Sequence, residues 1–334
     1  MSGKVLLDHG GGGRAAHRLI QDLFLRYLGN EYLNALDDAA CLQMQGSLAF
    51  STDSYTIEPL FFPGGNIGSL AVHGTVNDVA MLGARPRFLS CGFILEQGLP
   101  LETLQEIVAS MAQAAKSAEI QIVAADTKVV PRGKADGIFI NTSGLGEIQV
   151  HQPPAGKRAR AGDAVLLSGN IGDHGLAVMA ARQDLGLEAA VKSDSAALHH
   201  MLLELLQTVP EVHVLRDPTR GGLASTLNEI AAQSACSIVI QESALPVARD
   251  VAQGCALLGL DPLYLANEGK VICILPQEHA RQALEIMQHS ALSCNAAQIG
   301  WVQDQESVQV VMQTNIGGSR ILPMLEGEPL PRIC

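Results

Sequence analysis

Apolar residues in the first half of the chain follow two spacings, one typical of helices and the other of strands. Apolar side chains that recur every three or four residues predict helices at 14–28, 67–82 and 101–117. Short apolar runs predict strands at 47–53, 87–95, 120–125 and 138–143. A mixture of strands and helices predicts an α+β or α/β domain over residues 1–150.

The pattern breaks at residues 151–162, where two prolines, glycines and basic residues interrupt it, as is typical of a linker. Beyond it we predict strands at 163–168, 237–241, 270–275 and 307–312, and helices at 176–183, 196–208, 222–234, 247–258 and 278–290. The chain is therefore divided into a first domain (1–150), a second α/β domain (151–321) and a last segment (322–334). That segment has three prolines and no periodicity, which predicts a mobile, extended tail.

Composition narrows the functional classes. Hydrophobic residues make up 47% of the 334 residues and charged residues only 17%, so a large core can be buried, and the composition argues against wholesale disorder. The net charge of -12 argues against nucleic acid and anionic membranes as partners. No apolar run is long enough to span a bilayer, and the first residues do not resemble a signal peptide. We expect a soluble cytoplasmic protein.

The seven cysteines are scattered and form no C-x-x-C pair, which favours free thiols over a disulfide framework or a zinc site. Cys334 differs from the others because it is the last residue, on the predicted tail. A terminal thiol on a mobile segment is suited to carrying a chemical group into a cleft. The residues alone also allow a chance placement.

Several aspartates stand at turns or inside apolar segments, namely Asp38, Asp53, Asp78 and Asp126. Carboxylates among apolar neighbours are costly to bury unless a cation pairs with them. Any one of them alone is adequately explained as a helix cap or a turn residue. Three or four together favour Mg²⁺, which takes oxygen ligands and bridges phosphates.

Two further segments could bind phosphate. Gly10–Gly13 precede the first predicted helix and could present free backbone amides, although no Walker A lysine follows and a simple turn explains them as well. Lys128, just after Asp126, could neutralise a phosphoryl group or lie in solvent.

The second half offers an anion site and a proton carrier. Residues 216–222 open a helix with two arginines, Asp217 and Thr219, a pattern that fits either an anion site or a well-capped helix. Glu268 precedes a strand and could be a general base or acid, or a turn residue.

Taken together, these motifs resemble those of the HypE family of hydrogenase maturation proteins, within the aminoimidazole ribonucleotide synthetase-like (PurM-like) superfamily. The loops are shared with the superfamily, whereas the ending Pro-Arg-Ile-Cys is the mark of HypE. The resemblance covers essentially the whole chain. The segments that carry it are Gly10–Gly13, Ser51-Thr52-Asp53, Asn77-Asp78, Asp126-Thr127-Lys128, Asp217-Pro218-Thr219-Arg220-Gly221-Gly222, Asn267-Glu268-Gly269 and Pro331-Arg332-Ile333-Cys334.

The resemblance implies a two-domain PurM-like fold with a β-rich N-terminal dimerisation domain, a C-terminal α/β domain and ATP bound between them. It implies that HypF carbamoylates the terminal cysteine, that ATP drives dehydration of the carboxamide to a thiocyanate, and that the HypC–HypD complex takes the cyano group to the iron of [NiFe] hydrogenase.

The resemblance also implies roles for individual residues. Cys334, Glu268 and Lys128 would be catalytic, with Glu268 abstracting a proton. Mg²⁺ would be held by Asp53, Asp78 and Asp126. ATP would be bound by Gly10, Gly11, Gly12, Gly13, Asp38, Asp53, Asn77, Asp78, Asp126, Thr127, Lys128, Asp217 and Thr219.

Two other enzymes of the superfamily and one non-enzymatic role are alternatives. Selenophosphate synthetase carries a reactive Cys or selenocysteine near its glycine loop, and residues 1–13 contain none. Thiamine-monophosphate kinase has no need of a terminal thiol. A scaffold with a degenerate nucleotide site would keep clustered acids that repel each other without a cation.

Overall fold

The computed structural model describes residues 3–183, 191–304, 307–327 and 332–334. In these ranges the chain forms two consecutive units that each pack helices against a β-sheet. The N-terminal elements are α1 (Arg14–Leu19), a π-helical turn (Ile20–Phe24), α2 (Leu25–Leu28), β1 (Leu48–Tyr55), β2 (Phe61–Phe62), β3 (Gly65–Asn66), α3 (Ile67–Met81), β4 (Ala84–Glu96), α4 (Leu101–Ser117), β5 (Gln121–Val130) and β6 (Ile138–Ile148).

The N-terminal sheet has the strand order β1-β6-β4-β5, with antiparallel pairs except for β4 and β5. Strands β1 and β5 are therefore the two edges. Residues directly opposite in neighbouring strands share a face, and successive residues alternate between faces. The inner face packs on α3, as shown by Thr142, whose hydroxyl donates to the Ala71 carbonyl at 3.1 Å. The outer face exposes Phe50 (64% exposed) and Ile94.

Helix α3 is apolar on all sides, which is typical of a helix that is buried all round. It begins at a capping box, in which the Asn66 side chain accepts hydrogen bonds from the Gly68 and Ser69 amides. The helix packs between the N-terminal sheet, α4 and a helix of the second unit. It therefore links the two units.

The second unit is a three-layer α/β structure. Its elements are β7 (Asp163–Leu167), α5 (Asp173–Gln183), α6 (His199–Thr208), β8 (Val214–Arg216), α7 (Gly222–Ser234), β9 (Ser237–Gln241), α8 (Arg249–Leu258), β10 (Ile272–Pro276), α9 (Ala280–His289), β11 (Ala297–Gln303), β12 (Val310–Gln313) and β13 (Ser319–Ile321). In the described residues the sheet order is β13-β12-β9-β11-β7-β10-β8. Helix α7 covers one face, whereas α6 and α9 cover the other. The central strand β7 is consequently buried along its whole length.

The predicted helices are confirmed, and so are the predicted strands, with shifted ends. The main difference concerns strands β1 and β5, which continue past Asp53 and Asp126 instead of ending there. Each is an edge strand with a solvated stretch, so polar residues occur inside it. Sequence patterning missed β2, β3, β8, β11 and β13. In the part of the chain that is described, no helix combines the length and apolarity needed to cross a membrane.

Candidate active site

The end of the chain lies in a pocket between the two units. The pocket has a volume of about 120 Å³. The Cys334 sulfur accepts a hydrogen bond from the Arg220 guanidinium at 3.4 Å. Four carboxylates come from separate elements around it: Asp53, Asp78, Asp217 and Glu268. Each was a predicted site residue, and tertiary structure brings the four together with the thiol.

Backbone hydrogen bonds hold the last three residues in place. The Thr56 amide donates to the Cys334 carbonyl at 3.1 Å, and the Glu58 amide donates to the Arg332 carbonyl at 3.2 Å. Between them, Ile333 is only 4% exposed and belongs to the N-terminal core. Residues 332–334 are therefore docked in this structure. Residues 328–331 of the predicted mobile tail lie outside the described residues, so mobility of the segment stays a prediction.

Burial and neighbouring charges raise the pKa values of three acids in the pocket, Asp78, Asp217 and Glu268. The pKa of Asp78 is raised from 3.8 to about 7, chiefly by burial and then by the charge of Asp217, although a hydrogen bond from Ser51 at 2.7 Å opposes the shift. Burial also raises the pKa of Asp217. The pKa of Glu268 is raised well above its usual value by burial and then by the charge of Asp194. A cation that entered this pocket would relieve the repulsion.

The Cys334 thiol is held in its neutral form. Burial, followed by the Glu268 charge, raises its pKa to about 11, against the opposing effect of Arg220. Because the thiolate is the nucleophilic form, the docked sulfur is a poor nucleophile.

The other predicted phosphate-binding residues form a separate groove along edge strand β5. This groove, of about 360 Å³, is lined by Gly10, Gly12, Asp38, Asp126, Thr127 and Lys128, among others. Asp126 and Lys128 form an exposed ion pair at 2.9 Å. Gly10 packs so closely that an added Cβ would lie 2.7 Å from the Val129 amide nitrogen. Gly11 and Gly13 are exposed nearby, in the turn before α1.

The predicted convergence of Asp53, Asp78 and Asp126 on one metal is wrong for a single chain. Asp53 lies opposite Thr142 on the inner face. Thr142 in turn lies opposite Cys91, and Cys91 lies opposite Ala125, so Ala125 is on the inner face as well. Asp126 follows Ala125 and therefore points to the outer face. It is also three strand spacings away, about 14 Å. Within the part of the chain that the structure describes, no three His, Cys, Asp or Glu side chains form a metal-binding group.

Asn77 does not have the free amide that a nucleotide contact would need. Its side chain is 2% exposed. Its amide nitrogen donates to the Ala196 carbonyl at 2.9 Å and the Glu268 carbonyl at 3.2 Å, while its oxygen accepts from the Leu198 amide at 2.8 Å. The predicted role in cofactor binding is corrected to a clamp between the two units, which also fixes the backbone of Glu268.

A larger cleft, of about 720 Å³, adjoins the thiol pocket and shares four residues with it: Asp78, Asp217, Thr219 and Arg220. It opens beside edge strand β1 and exposed Phe50. Its volume is in the range of small-molecule sites. The thiol pocket is thus continuous with a wider cleft.

Two functional contacts were missed at the sequence level. His174 was not among the predicted site residues, yet its Nε2 lies 2.8 Å from the Ile333 carbonyl oxygen. Arg182, which was not singled out, donates to the Arg332 carbonyl at 3.0 Å. Position beside a glycine was the only signal for His174, and nothing in the pattern distinguished Arg182 from a solvated helix residue.

Comparison with known proteins identifies related sequences over the whole chain. Two family models match, the AIR synthase related protein N-terminal domain at residues 36–148 and its C-terminal domain at residues 160–313. Carbamoyl dehydratase HypE of Azotobacter vinelandii is 52% identical over 334 residues, which cover 100% of this chain and 98% of that protein.

Solved structures match equally well. The crystal structure of hydrogenase maturation protein HypE in complex with ATP has a TM-score of 0.96 and 58% identity, covering 98% of this chain and 99% of that one. A HypE–HypF complex contains a chain with a TM-score of 0.81 and 48% identity, covering 92% of this chain and 99% of that one. Thiamine-monophosphate kinase from Stenotrophomonas maltophilia K279a, at 20% identity and a TM-score of 0.67, covers 87% of this chain and 95% of that one and shares the fold alone.

Proposed function

This chain belongs to the HypE family of carbamoyl dehydratases, and we propose that it uses ATP to convert an S-carboxamide on Cys334 to a thiocyanate. The thiocyanate is the source of the cyanide ligand of hydrogenase iron. The observation that carries the proposal is the position of the Cys334 sulfur, 3.4 Å from Arg220, in a pocket that is lined by four carboxylates and adjoins a larger cleft. A group attached to that sulfur would lie among these side chains.

The reaction requires activation of a poor leaving group, the carboxamide oxygen. This oxygen attacks the γ-phosphorus of ATP, the bond from that phosphorus to the bridging oxygen breaks, and ADP leaves. The carbon–oxygen bond of the imino-phosphate then breaks, so phosphate leaves with the oxygen while the two nitrogen protons pass to bases. The product is S–C≡N, and no oxidant or reductant is needed. Phosphoryl transfer of this kind depends mainly on positioning and on neutralising charge.

Glu268 is the proposed proton acceptor. Its side chain is buried and lines the pocket with Cys334. Its raised pKa makes the ionised carboxylate a stronger base than an exposed glutamate. A cation brought by the nucleotide would shift it towards the ionised form.

We place ATP between two copies of the chain. The groove with Asp126 and Lys128 lies at the opposite edge of the sheet from Asp53, and the side chains of Asp126 and Lys128 point to the outer face. The outer face between these edges exposes Phe50 and Ile94, so a second copy packed there would bury them. A homodimer would bring the Lys128 groove of one copy towards the thiol cleft of the other. Lys128 would then act in trans.

Magnesium fits this arrangement as a companion of the nucleotide. Mg²⁺ is commonly bound by one or two carboxylates together with substrate phosphates, so a preformed three-ligand centre is not required. Asp53 and Asp78, which face the thiol pocket, are the residues that would hold it. It would supply neutralisation of phosphate charge.

Loading and unloading require the tail to leave the pocket. The docked thiol is buried and un-ionised, which disfavours its attack on a carbamoyl donor. We propose that HypF carbamoylates the undocked tail and that the HypC–HypD complex receives the cyano group. All seven cysteines are unpaired, which suits a reducing compartment, and we propose a cytoplasmic location.

Mass spectrometry of the C-terminal peptide tests the function. The protein is incubated with HypF, carbamoyl phosphate, ATP and Mg²⁺, and we expect a carbamoyl adduct on Cys334 that then loses one water. Cys334→Ala should abolish both mass changes, whereas Cys294→Ala, at an exposed cysteine far from the pocket in sequence, should leave them unchanged. A carbamoylated tail that retains its mass in the presence of Mg²⁺ and ATP would refute the proposal.

A further inference from the structure

Helix α5 supplies two side chains that hold the backbone of the last three residues. The His174 Nε2 is 2.8 Å from the Ile333 carbonyl oxygen, and both groups are buried. Eight residues later, Arg182 donates to the Arg332 carbonyl at 3.0 Å and to the Glu58 carbonyl at 2.7 Å. The tail is thus held between α5 on one side and residues 56–58 on the other.

The tautomer of His174 follows from its two partners. A carbonyl oxygen can only accept, so Nε2 carries the proton and donates to Ile333. Burial lowers the pKa of the ring, so Nδ1 is unprotonated and accepts from the Ser193 hydroxyl at 2.8 Å. The Ser193 oxygen in turn accepts from the Ser195 amide at 3.1 Å. Ser193 therefore keeps the proton on the nitrogen that faces the tail.

Ser193 and Ser195 belong to the loop before α6, and the same loop also contacts the backbone next to Glu268. Asp194 accepts from the Glu268 amide at 3.1 Å and from the Gly269 amide at 3.2 Å, and it forms a buried ion pair with Lys270 at 3.2 Å. Ser193 is thus linked through His174 to the peptide group next to Cys334. Asp194 contacts the backbone of Glu268 directly. The loop sets the position of the sulfur relative to the proposed base.

We propose that His174 is a positioning residue for the dehydration step. By donating from Nε2 to the Ile333 carbonyl, it holds the Cys334 sulfur in the pocket. The inference rests on the proposed function for the reaction itself, but the seating of the thiol is measurable without turnover. If the donor is removed, the Ile333 carbonyl is left unpaired only in the docked state, because in the undocked tail it is solvated. The docking equilibrium therefore shifts, by about fivefold to tenfold for one hydrogen bond.

The test compares His174→Phe, which keeps a ring and removes the donor, with His174→Gln, whose amide can still donate. Ser193→Ala removes the hydroxyl that selects the tautomer, and His289→Phe at an exposed histidine of α9 is the matched control. The first readout is the rate at which iodoacetamide alkylates Cys334 in the unloaded protein, measured on the C-terminal peptide. The second is the single-turnover rate of water loss from the carbamoylated protein at saturating ATP.

We expect His174→Phe to raise the alkylation rate, which follows the small undocked fraction, about fivefold to tenfold. The turnover rate, which follows the docked fraction, should fall by a smaller factor. His174→Gln should restore both towards wild type, and His289→Phe should change neither. Alkylation at the wild-type rate in His174→Phe and in Ser193→Ala would overturn the inference, even if both variants unfold at lower temperature. If His174→Phe does not fold, Ser193→Ala decides in the same way. Faster alkylation combined with no ATP-dependent water loss in wild type would support the seating role and refute the proposed function.

Discussion

The side-chain amide of Asn77 offers a direct test of the correction from nucleotide ligand to clamp. Truncation to alanine would leave the Leu198 amide and the Ala196 and Glu268 carbonyls without their partner. Each buried polar group that loses its hydrogen bond costs about 1–3 kcal/mol. We therefore expect Asn77→Ala to lower the free energy of unfolding by about 3–5 kcal/mol, a large part of the typical 5–15 kcal/mol.

Asn141 is a matched control in the same chain. Its side chain makes three hydrogen bonds, as the Asn77 side chain does, but all three are donated by the amide nitrogen, to Thr52 Oγ1, the Asp53 carbonyl and Ser54 Oγ, and the side chain is exposed. Water can replace these bonds, so Asn141→Ala should cost less than about 1 kcal/mol.

The assay is urea unfolding followed by circular dichroism and by the fluorescence of the single tryptophan, Trp301, which lies on β11 in the second unit. Equal effects of the two substitutions would refute the assignment. So would loss of ATP affinity in Asn77→Ala with an unchanged unfolding midpoint, because that is the behaviour of a direct ligand.

Four further predictions follow from the pocket and the sheet. Ile333→Ala should weaken tail docking by about 2 kcal/mol and speed alkylation of the terminal thiol about thirtyfold, whereas Ile316→Ala, at a position 95% exposed, should not; equal rates would contradict the docked state. Folding raises the pKa of the Asp78 carboxyl from 3.8 to about 7. The stability that its protonated form contributes is therefore lost as the pH rises through this range. Asp78→Asn should remove this loss, and urea midpoints that fall equally for both proteins would argue against it. Asp126→Asn should weaken ATP binding without changing the unfolding midpoint, because its ion pair is exposed, and unchanged affinity by calorimetry would exclude it from the site. Phe50→Glu should convert a dimer to a monomer in analytical ultracentrifugation, and an unaltered sedimentation coefficient would reject the outer face as the interface.

Helical periodicity predicted the helices well because long amphipathic or wholly apolar segments have few alternative structures. The two edge strands were harder. Asp53 and Asp126 stand inside β1 and β5, and at the sequence level a polar residue after an apolar run is indistinguishable from the end of a strand. The short strands β8 and β13, of three residues each, lie below what periodicity can detect.

The site was identified as a set of residue types, and its grouping was only partly correct. The family motifs named Asp53, Asp78, Glu268 and Cys334, which the structure brings into one pocket. The same motifs named Asp126, which lies on the other face of the sheet. Strand order and side-chain alternation decide that separation, and neither is visible without knowing which strands pair.

By itself, the order of residues determined which segments become helices or strands, that the chain has a large core, and which side chains have the chemistry for phosphoryl and proton transfer. These are local properties, set by side-chain type and spacing. Only tertiary structure decided that the Asn77 side chain is hydrogen-bonded across the two units, that α5 holds the end of the tail and that the thiol is un-ionised. Those outcomes depend on burial and on contacts between residues as far apart as His174 and Ile333, for which local spacing carries no information.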